Sequence, residues 1–312
     1  MRHLIENVNL IDFEKYDAII IDKIVKELHF PDLKDVIEIE NPEKQKSFDG
    51  FQKLSEKLLE RKLNRNSHIL AIGGGALSDL VGFVASTVKR GVSFDIVPTT
   101  LLAMVDAAIG GKTAINTEAG KNQIGTFYFP KKVMINLDFL KTLPEDEIQS
   151  GLGEVLKYTF LDEDIFQMAK HGLTSELIQK CAEFKMNLVE KDPNEKNERM
   201  FLNLGHTFGH AFEKIEEISH GIAVIKGLFY VLKVFNPSLL DNFDKMTLKL
   251  NLNFEYKFNG DVDLFRKLIK NDKKNTTETV NFVIPQNIGK IKIEAVSYEN
   301  LDRIIDNELF RN

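Results

Sequence analysis

The sequence has few of the features that mark secreted, membrane or nucleic-acid-binding proteins. Cys181 is the single cysteine among 312 residues, which excludes an internal disulfide and a cysteine cluster that binds metal. We therefore expect a reducing, cytoplasmic compartment. A net charge of −6 gives no sign of the basic surface that nucleic acid needs. No uncharged apolar run reaches the roughly 18 residues of a membrane span, and residues 1–6 lack the apolar segment of a secretory signal.

The first half of the chain alternates short apolar runs with helical patterns. Short apolar runs between turn residues are typical of buried parallel strands, and apolar residues spaced by three and four indicate helices. The predicted strands are Ala18–Asp22, Val36–Glu40, His68–Ile72, Phe94–Pro98 and Val133–Asn136, and the predicted helices are Phe48–Lys62, Ala76–Val88 and a segment from Leu101. This alternation predicts an α/β domain with a parallel sheet.

The second half has a different texture, because nearly everything from Glu145 to Leu250 shows helical spacing. We therefore predict a boundary between residues 142 and 143, with an α/β domain before it and a mostly α-helical domain after it. Near the end, Thr279–Ile284 and Lys290–Ala295 are predicted strands on either side of a turn at residues 285–287. A short helix is expected to close the chain.

Two glycine-rich segments of the first half suggest phosphate binding. Gly73, Gly74 and Gly75 lie between a predicted strand and a predicted helix, where backbone N–H groups can approach a pyrophosphate; a tight turn explains the triplet equally well. Gly110-Gly111-Lys112-Thr113 resembles the end of a P-loop, but Asp106 stands where that motif needs glycine. What remains is a glycine turn near Lys112, Lys121 and Asn122, which is either a phosphate cradle or a solvated loop.

The segment Asn197–Glu213 carries the most informative pattern of the second half. Taken as one helix, it places Arg199, Asn203, His206 and His210 on one face and four apolar residues on the other. Exposed faces usually carry lysine and glutamate, whereas this face carries types that bind metals and donate hydrogen bonds. Gly205 and Gly209 would let another backbone approach closely. The pattern predicts a functional site on this segment.

Two histidines spaced by four could share one metal ion. The peptidase motif with this spacing needs a glutamate where Thr207 stands, so that function is excluded. Glu154 is the leading candidate for a further ligand, although an ion pair with Lys157 explains it equally well. His220 begins another apolar helix. Histidine and carboxylate ligands with one open position describe a catalytic zinc site.

Five long segments, taken together and in this order, resemble the 3-dehydroquinate synthase family: GGGALSDLVGFVAS, KRGVSFDIVPTTLLAMVDAAIGGKTAIN, GKNQIGTFYFP, LKTLPEDEIQSGLGEVLKY and LNLGHTFGHAFE. The resemblance extends from about Asp22 to Lys274. It implies a Rossmann-like NAD domain followed by a helical domain, and a homodimer. It also implies conversion of 3-deoxy-D-arabino-heptulosonate 7-phosphate into 3-dehydroquinate and phosphate, by transient oxidation with NAD, β-elimination, reduction and an intramolecular aldol step.

The resemblance also implies roles for individual residues. The metal ligands, for zinc or cobalt, are Glu154, His206 and His220, so His210 becomes a substrate contact. The implied NAD contacts are Asp22, Glu43, Lys46, Gly74, Gly75, Asp79, Thr99, Thr100, Asp106 and Lys121. The implied substrate contacts are Lys112, Asn122, Lys157, Lys185, Arg199, Asn203, His210 and one of Lys273 and Lys274, with Arg90 reaching the neighbouring subunit's site. Ile222 departs from the family, which commonly has glutamate there.

Three other functions compete with this one. A related cyclase would act on sedoheptulose 7-phosphate or glucose 6-phosphate instead, although the GGKTAIN and GKNQIG segments favour the dehydroquinate enzyme. A metal-dependent polyol dehydrogenase of the same fold would release NADH at each turnover. A binding protein without catalysis would not need the intact set of candidate ligands and cations. For the favoured function we expect a small phosphorylated sugar acid as the ligand, and neither nucleic acid nor a membrane as a partner.

Overall fold

The computed structural model describes residues 4–8, 10–271 and 278–310. Two compact units are present: the first contains Met1–Ile148 and Ala182–Asn194, and the second contains Gln149–Cys181 and Glu195–Asn312. The division after Ile148 falls six residues beyond the predicted boundary. No pattern in the sequence indicated that Ala182–Asn194 would group with the first unit. Within the described residues, no helix is both long and apolar enough to cross a membrane.

The first unit is built on a six-stranded sheet in which every pairing is parallel. The spatial order is β1-β8-β5-β4-β2-β3, formed by β1 (Leu4–Asn7), β2 (Ala18–Asp22), β3 (Ile37–Ile39), β4 (His68–Gly73), β5 (Ser93–Pro98) and β8 (Lys132–Ile135). The middle strands are almost wholly buried, as continuous apolar runs predict for a sheet covered on both faces. The parallel sheet and five of its strands are therefore confirmed, and β1 was missed.

The helices of the first unit begin at recognisable capping residues. They are α1 (Lys23–His29), α2 (Pro42–Gln45), α3 (Phe48–Glu60) and α4 (Gly75–Thr87). The Asp22 carboxylate accepts hydrogen bonds from the first turn of α1, and the Ser47 hydroxyl accepts one from Gly50 at the start of α3. The predicted helix from Leu101 is only a short helical turn that ends in a π-helical segment, Ala103–Ala107.

The glycine-rich segment after Ile109 forms an antiparallel hairpin of β6 (Lys112–Thr117) and β7 (Gly120–Phe127), which the sequence analysis described as a turn or loop. Thr113 and Ile115 are buried while Lys112 is exposed, so this strand alternates with period two. Gly110 and Gly111 lead into it with φ of 113° and 65°, a conformation that favours glycine. The prediction of a loop was wrong. The strand pattern was missed because the alternation of buried and exposed residues is short and half of its residues are polar.

The second unit is mostly helical, as predicted. Its elements are α5 (Glu145–Leu161), α6 (Glu163–Ala169), α7 (Ser175–Lys191), α8 (His206–Glu216), α9 (His220–Phe235), α10 (Leu240–Lys249), α11 (Val262–Lys270) and α12 (Tyr298–Ile304), of which α5 and α7 include residues of both units. Its core is rich in phenylalanine: Phe208, Phe212 and Phe265 are fully buried and in mutual ring contact through Phe265. Three acidic residues open α5, where the helix dipole favours negative charge.

The informative segment of the second half is not one helix. A 3-10 helix spans Glu198–Asn203, the chain turns at Gly205 with φ of 79°, and α8 begins at His206. A Cβ atom at Gly205 would lie 2.8 Å from the Val224 carbonyl oxygen, so the turn also brings α9 close. The prediction of one helix with a single polar face is therefore wrong. The chain breaks at Gly205, and a single glycine was not enough to indicate that break.

The last strands form an antiparallel hairpin of β9 (Thr279–Asn287) and β10 (Lys290–Ser297). Both predicted strands are confirmed, but both are longer than predicted. Pro285, expected in the turn, belongs to β9 and faces Ile291 at a β-bulge, where proline is tolerated. The turn lies instead at Ile288 and Gly289. The predicted closing helix is α12.

Candidate active site and metal centre

The strand order of the first unit creates a place for a ligand. The chain runs from β2 outward to β3 and then returns to β4 on the other side of β2. In open α/β sheets, ligands bind outside the carboxyl ends of the strands where the order reverses in this way. Asp22 ends β2 and Gly73 ends β4, so both stand at this position. Thr99 and Thr100 follow the carboxyl end of β5 next to them.

The glycines that join β4 to α4 are required by space rather than by an unusual φ. Gly74 has φ of −73°, which any residue can adopt. A Cβ atom at Gly75 would lie 2.9 Å from Cβ of Ala107, and one at Gly74 would lie 3.1 Å from Thr100. The N-cap residue is Gly74 itself, which has no side chain, so no side chain caps the first N–H groups of α4. The result is an open helix N-terminus at the carboxyl edge of the sheet, which suits a pyrophosphate.

A buried ion pair lies beside this helix. Lys46 Nζ is 2.5 Å from Asp79 Oδ2, and the lysine side chain is almost completely buried. Burial raises the pKa of Asp79 to about 6, although the Lys46 charge opposes that shift. Nearby, Glu43 accepts a hydrogen bond of 2.8 Å from the Asn116 side chain. Three residues of the predicted NAD set are thus held in place on α2, α4 and the turn between α2 and α3.

A second charged group of the first unit joins Lys185 to Asp106. Lys185 Nζ lies 2.9 Å from the Asp106 carboxylate and 2.5 Å from its carbonyl oxygen. Lys185 was predicted to contact the substrate and Asp106 to contact NAD, and the two residues are 79 positions apart in the chain. The structure therefore brings them together on α7 and the π-helical turn.

The other predicted residues of the first unit lie on exposed backbone. Lys112 begins β6, whereas Lys121 and Asn122 lie near the other end of the hairpin. At a rise of about 3.3 Å per residue, roughly 13 Å of strand separates the two lysine positions. Arg90 lies in the turn before β5, where Lys89, Arg90 and Gly91 all have positive φ. The hairpin therefore separates the position of Lys112 from those of Lys121 and Asn122.

In the second unit, contacts between glycines set the spacing of α5 and α9. A Cβ atom at Gly153 would lie 2.2 Å from the Gly221 carbonyl oxygen, and one at Gly221 would lie 1.7 Å from the Ser150 carbonyl oxygen. The Ser150 hydroxyl accepts a hydrogen bond from the Gly221 N–H. Only glycine permits this approach, and Glu154 follows Gly153 directly while His220 directly precedes Gly221. The close packing therefore places a carboxylate beside an imidazole.

Helices α8 and α9 also meet through glycine. A Cβ atom at Gly227 would lie 2.0 Å from the Gly205 carbonyl oxygen, and one at Gly209 would lie 3.0 Å from the Ala223 carbonyl oxygen. The predicted role of Gly205 and Gly209 in close backbone approach is confirmed. The same contact brings His206, at the start of α8, next to the start of α9.

These contacts gather Glu154, His206 and His220 into one group. Glu154 Oε1 lies 3.5 Å from His206 Nε2 and 3.3 Å from His220 Nε2, and the three ligand atoms lie within 4.8 Å of one another. A tetrahedral zinc ion with bonds of about 2.0–2.1 Å separates its ligand atoms by about 3.3–3.4 Å. Glu154 is fully buried, and its Oε1 accepts no hydrogen bond within the described residues. The residues therefore fit a divalent metal ion.

The charges around this group are partly balanced. Lys157 forms an ion pair with Glu154 Oε2. The two alternative roles of Glu154, ion pair and metal ligand, are therefore compatible, because they use different carboxylate oxygens. Burial lowers the pKa of His220, but the carboxylates of Glu154 and Glu213 outweigh that effect and raise it to about 9. The negative charges that favour a proton on His220 also favour a cation, whose binding would release that proton.

The remaining predicted residues of the second unit differ in their exposure and their contacts. Arg199 is fully buried in the 3-10 helix, while His210 is exposed with its ring 5.4 Å from that of His206. Asn203 donates a hydrogen bond of 2.9 Å to Glu195. Lys273 and Lys274 lie outside the described residues.

Two carboxylates that contact predicted site residues were missed from the sequence. Glu195 accepts the hydrogen bond from Asn203, and Glu213 lies 3.1 Å from His220 Nδ1. Glu195 lies just before the informative segment that begins at Asn197, so nothing in the pattern identified it. Glu213 has the spacing that could have revealed it, because it follows His206 by seven residues and therefore lies on the same face of α8.

Comparison with known proteins matches both halves of the chain. The family model described as 3-dehydroquinate synthase N-terminal covers residues 36–150, and the one described as 3-dehydroquinate synthase C-terminal covers residues 151–275. A 3-dehydroquinate synthase of Thermococcus kodakarensis is 43% identical over 279 residues, 86% of this chain and 80% of that protein. One from Helicobacter pylori is 36% identical over 316 residues, 94% of this chain and 92% of that protein.

Solved structures share the fold at lower identity. The 2-epi-5-epi-valiolone synthase of Streptomyces hygroscopicus, solved with NAD+ and Zn2+ bound, is 23% identical with a TM-score of 0.83 and covers 96% of this chain and 94% of that one. A 2-deoxy-scyllo-inosose synthase complexed with carbaglucose-6-phosphate, NAD+ and Co2+ is 23% identical with a TM-score of 0.80, covering 98% and 96%. The sequence matches, which span both units, show that this chain belongs to the 3-dehydroquinate synthase family.

Proposed function

We propose that this chain is a 3-dehydroquinate synthase that converts 3-deoxy-D-arabino-heptulosonate 7-phosphate into 3-dehydroquinate and phosphate, a step of aromatic amino acid biosynthesis. The observation that carries the proposal is the group formed by Glu154, His206 and His220 in a chain of this family. An enzyme of this kind needs an oxidisable alcohol held next to a cation. Three helices that converge on one buried carboxylate supply the place for it.

The residues present fit both expected cofactors. Glu154, His206 and His220 would hold zinc or cobalt, and the open N-terminus of α4, with Asp22 at the end of β2, would hold NAD. When bound, the metal would supply a Lewis acid for the vicinal hydroxyls of the substrate, and NAD would supply a reversible hydride acceptor. The further NAD contacts of this proposal are Glu43, Lys46, Gly74, Gly75, Asp79, Thr99, Thr100, Asp106 and Lys121.

The chain's own cations account for the anionic substrate. A phosphate and a carboxylate need charge-assisted hydrogen bonds, which arginine and lysine donate most strongly. Lys112, Lys157, Lys185 and Arg199 would provide them, with Asn122, Asn203 and His210 donating neutral hydrogen bonds. Because the phosphate group can accept the proton released during its own elimination, these residues need mainly to orient the substrate.

Phosphate release tests this function directly. Purified protein with zinc, NAD and the heptulosonate phosphate should release one phosphate per 3-dehydroquinate formed, and a chelator should stop both. NADH absorbance should stay flat, because the hydride returns to the same intermediate. Phosphate release without a chelator effect would contradict the metal centre, and a steady rise in NADH would indicate a polyol dehydrogenase instead.

Substrate choice separates this function from that of the related cyclases. The same assay with sedoheptulose 7-phosphate and with glucose 6-phosphate should show little or no turnover. A higher kcat/KM with either sugar than with the heptulosonate phosphate would contradict the proposed substrate while leaving the metal centre in place.

We also propose a cytoplasmic homodimer in which Arg90 completes the neighbouring subunit's site. The positive φ values of Lys89, Arg90 and Gly91 hold Arg90 on an exposed turn, which supports this role. Light scattering should give a mass close to twice 35.6 kDa. Mixing inactive Arg90→Ala and His206→Ala subunits should restore part of the activity, because one site of each mixed dimer is then intact. No recovery after subunit exchange would contradict a shared site.

A further inference from the structure

Each candidate imidazole ligand has a partner on the nitrogen that faces away from Glu154. His206 Nδ1 lies 3.1 Å from the Leu204 carbonyl oxygen, and His220 Nδ1 lies 3.1 Å from Glu213 Oε2. A carbonyl or carboxylate oxygen can only accept a hydrogen bond. Each Nδ1 must therefore carry a proton, which leaves the Nε2 lone pair of a neutral ring directed toward the metal position.

The two partners differ in charge. His206 is held by a neutral backbone oxygen of its own turn, whereas His220 is held by a carboxylate from another helix. Glu213 follows His206 by seven residues on α8, so it lies on the same helix face. From there its side chain, which is only 19% exposed, reaches the first residue of α9.

We propose that Glu213 is a positioning residue of the metal centre, which fixes the tautomer and orientation of His220 and increases its strength as a ligand. This inference rests on the proposed metal site. Carboxylates that accept a hydrogen bond from a ligating histidine act in this way at zinc sites, and their loss reduces metal affinity by about 10- to 100-fold. His220 is then the stronger of the two imidazole ligands.

A simple ion pair on the surface of the second unit would behave differently. Exposed pairs contribute little to stability and nothing specific to a neighbouring metal. The carboxylate at Glu213 would then be replaceable without an effect on zinc. A structural role and a positioning role are therefore separated by metal affinity in variants that remain folded.

Zinc binding by the metal-free protein, measured in competition with a chromogenic chelator, tests the proposal. Glu213→Ala should bind zinc about 10- to 100-fold more weakly than the unchanged protein. Glu213→Gln should lose less, because its amide oxygen still accepts a hydrogen bond from Nδ1 but carries no charge. Glu217→Gln removes an equal charge from an exposed residue four positions away and should bind zinc normally. Circular dichroism should be used to check that each variant is folded.

A second measurement follows the hydrogen bond itself. In the zinc-loaded protein, NMR should show a His220 Nδ1 proton that exchanges slowly with water, and this proton should exchange much faster in Glu213→Ala. Zinc affinity within threefold of the unchanged protein in Glu213→Ala, or an equal loss in Glu217→Gln, overturns the inference alone. Failure of the unchanged protein to bind zinc overturns the proposed metal centre and this inference together.

Discussion

The two units build their candidate sites from different materials. In the first unit, the site lies where the fold itself exposes backbone, at the carboxyl ends of β2, β4 and β5 and at the open start of α4. In the second unit, the site is made of side chains on three helices. These side chains lie close together because glycines let the backbones of the helices approach one another. A nucleotide can thus be held by a general property of parallel sheets, whereas a metal ion needs particular residues brought from distant parts of the chain.

This difference implies different sensitivities. A backbone site tolerates changes in neighbouring side chains, because its N–H groups stay in place. A site of three ligands fails when one ligand is lost or when two helices separate by an ångström. We therefore expect the largest losses from changes in the second unit and smaller ones from the first.

Removal of one ligand should have the largest effect. His206→Ala should bind zinc more than about 100-fold more weakly, and activity should fall with zinc affinity. This loss exceeds the roughly 10- to 100-fold loss that is usual for residues that only orient a metal ligand. Metal content after dialysis and phosphate release measure the two losses. His171→Ala, an exposed histidine of the same unit, should change neither. Retention of both metal and activity by His206→Ala would contradict the ligand assignment.

A methyl group between α5 and α9 should have the next largest effect. Gly221→Ala places a Cβ atom against the Ser150 carbonyl oxygen, so the helices must separate, with a loss of about 1–3 kcal/mol or more in the free energy of unfolding. Zinc affinity should fall as well. Gly75→Ala in the first unit should instead weaken NAD binding and leave zinc affinity unchanged. Equal zinc affinity in Gly221→Ala and Gly75→Ala would contradict the expected difference in sensitivity between the two units.

Loss of one substrate cation should be smaller. Lys112→Ala should leave zinc bound and raise KM by roughly 10- to 100-fold, since a hydrogen bond to a charged group contributes about 1.5–3 kcal/mol. Steady-state kinetics and metal content test both parts. Lys131→Ala, another exposed lysine of the first unit, is the matched control. Unchanged kinetics in Lys112→Ala would refute its role in substrate binding.

The prediction furthest from activity concerns the pH dependence of stability at the buried pair beside α4. The pKa of Asp79 is about 6 in the folded protein and 3.8 when unfolded, so the folded state binds its proton more tightly. Its contribution to stability is present below pH 4 and is lost as pH rises toward 6. The stability of the unchanged protein relative to Asp79→Asn should therefore decrease by up to about 3 kcal/mol over that range. Denaturant titrations at several pH values that show the opposite slope would contradict this environment.

Local patterns predicted the first unit well. Continuous apolar runs gave five of six parallel strands, because buried strands of this kind need no partner to be recognised. The hairpin β6–β7 was missed, since its alternation of Lys112, Thr113 and Ile115 is too short to distinguish from a polar loop. β1 was missed for a related reason, because it is four residues long and half polar.

The second unit shows what local patterns cannot supply. Spacing alone paired His206 with His210, four residues apart, because a sequence window contains only near neighbours. The structure instead gathers His206 with Glu154 and His220, and that grouping followed from family resemblance and not from periodicity. The Gly153–Gly221 contact that produces it joins positions 68 residues apart, and no rule of helix spacing connects them. Glu213 was visible in the pattern but gained a meaning only when its partner was known.

X-ray absorption of the zinc-loaded protein tests the central claim most directly, because it reports the atoms bound to the ion. Convergence of one carboxylate and two imidazoles predicts one zinc ion per chain, with two nitrogen ligands at about 2.0–2.1 Å and the remaining ligands oxygen. In His206→Ala loaded with excess zinc, one nitrogen ligand should be missing. A sulfur ligand, or two nitrogen ligands that persist in His206→Ala, would contradict the account.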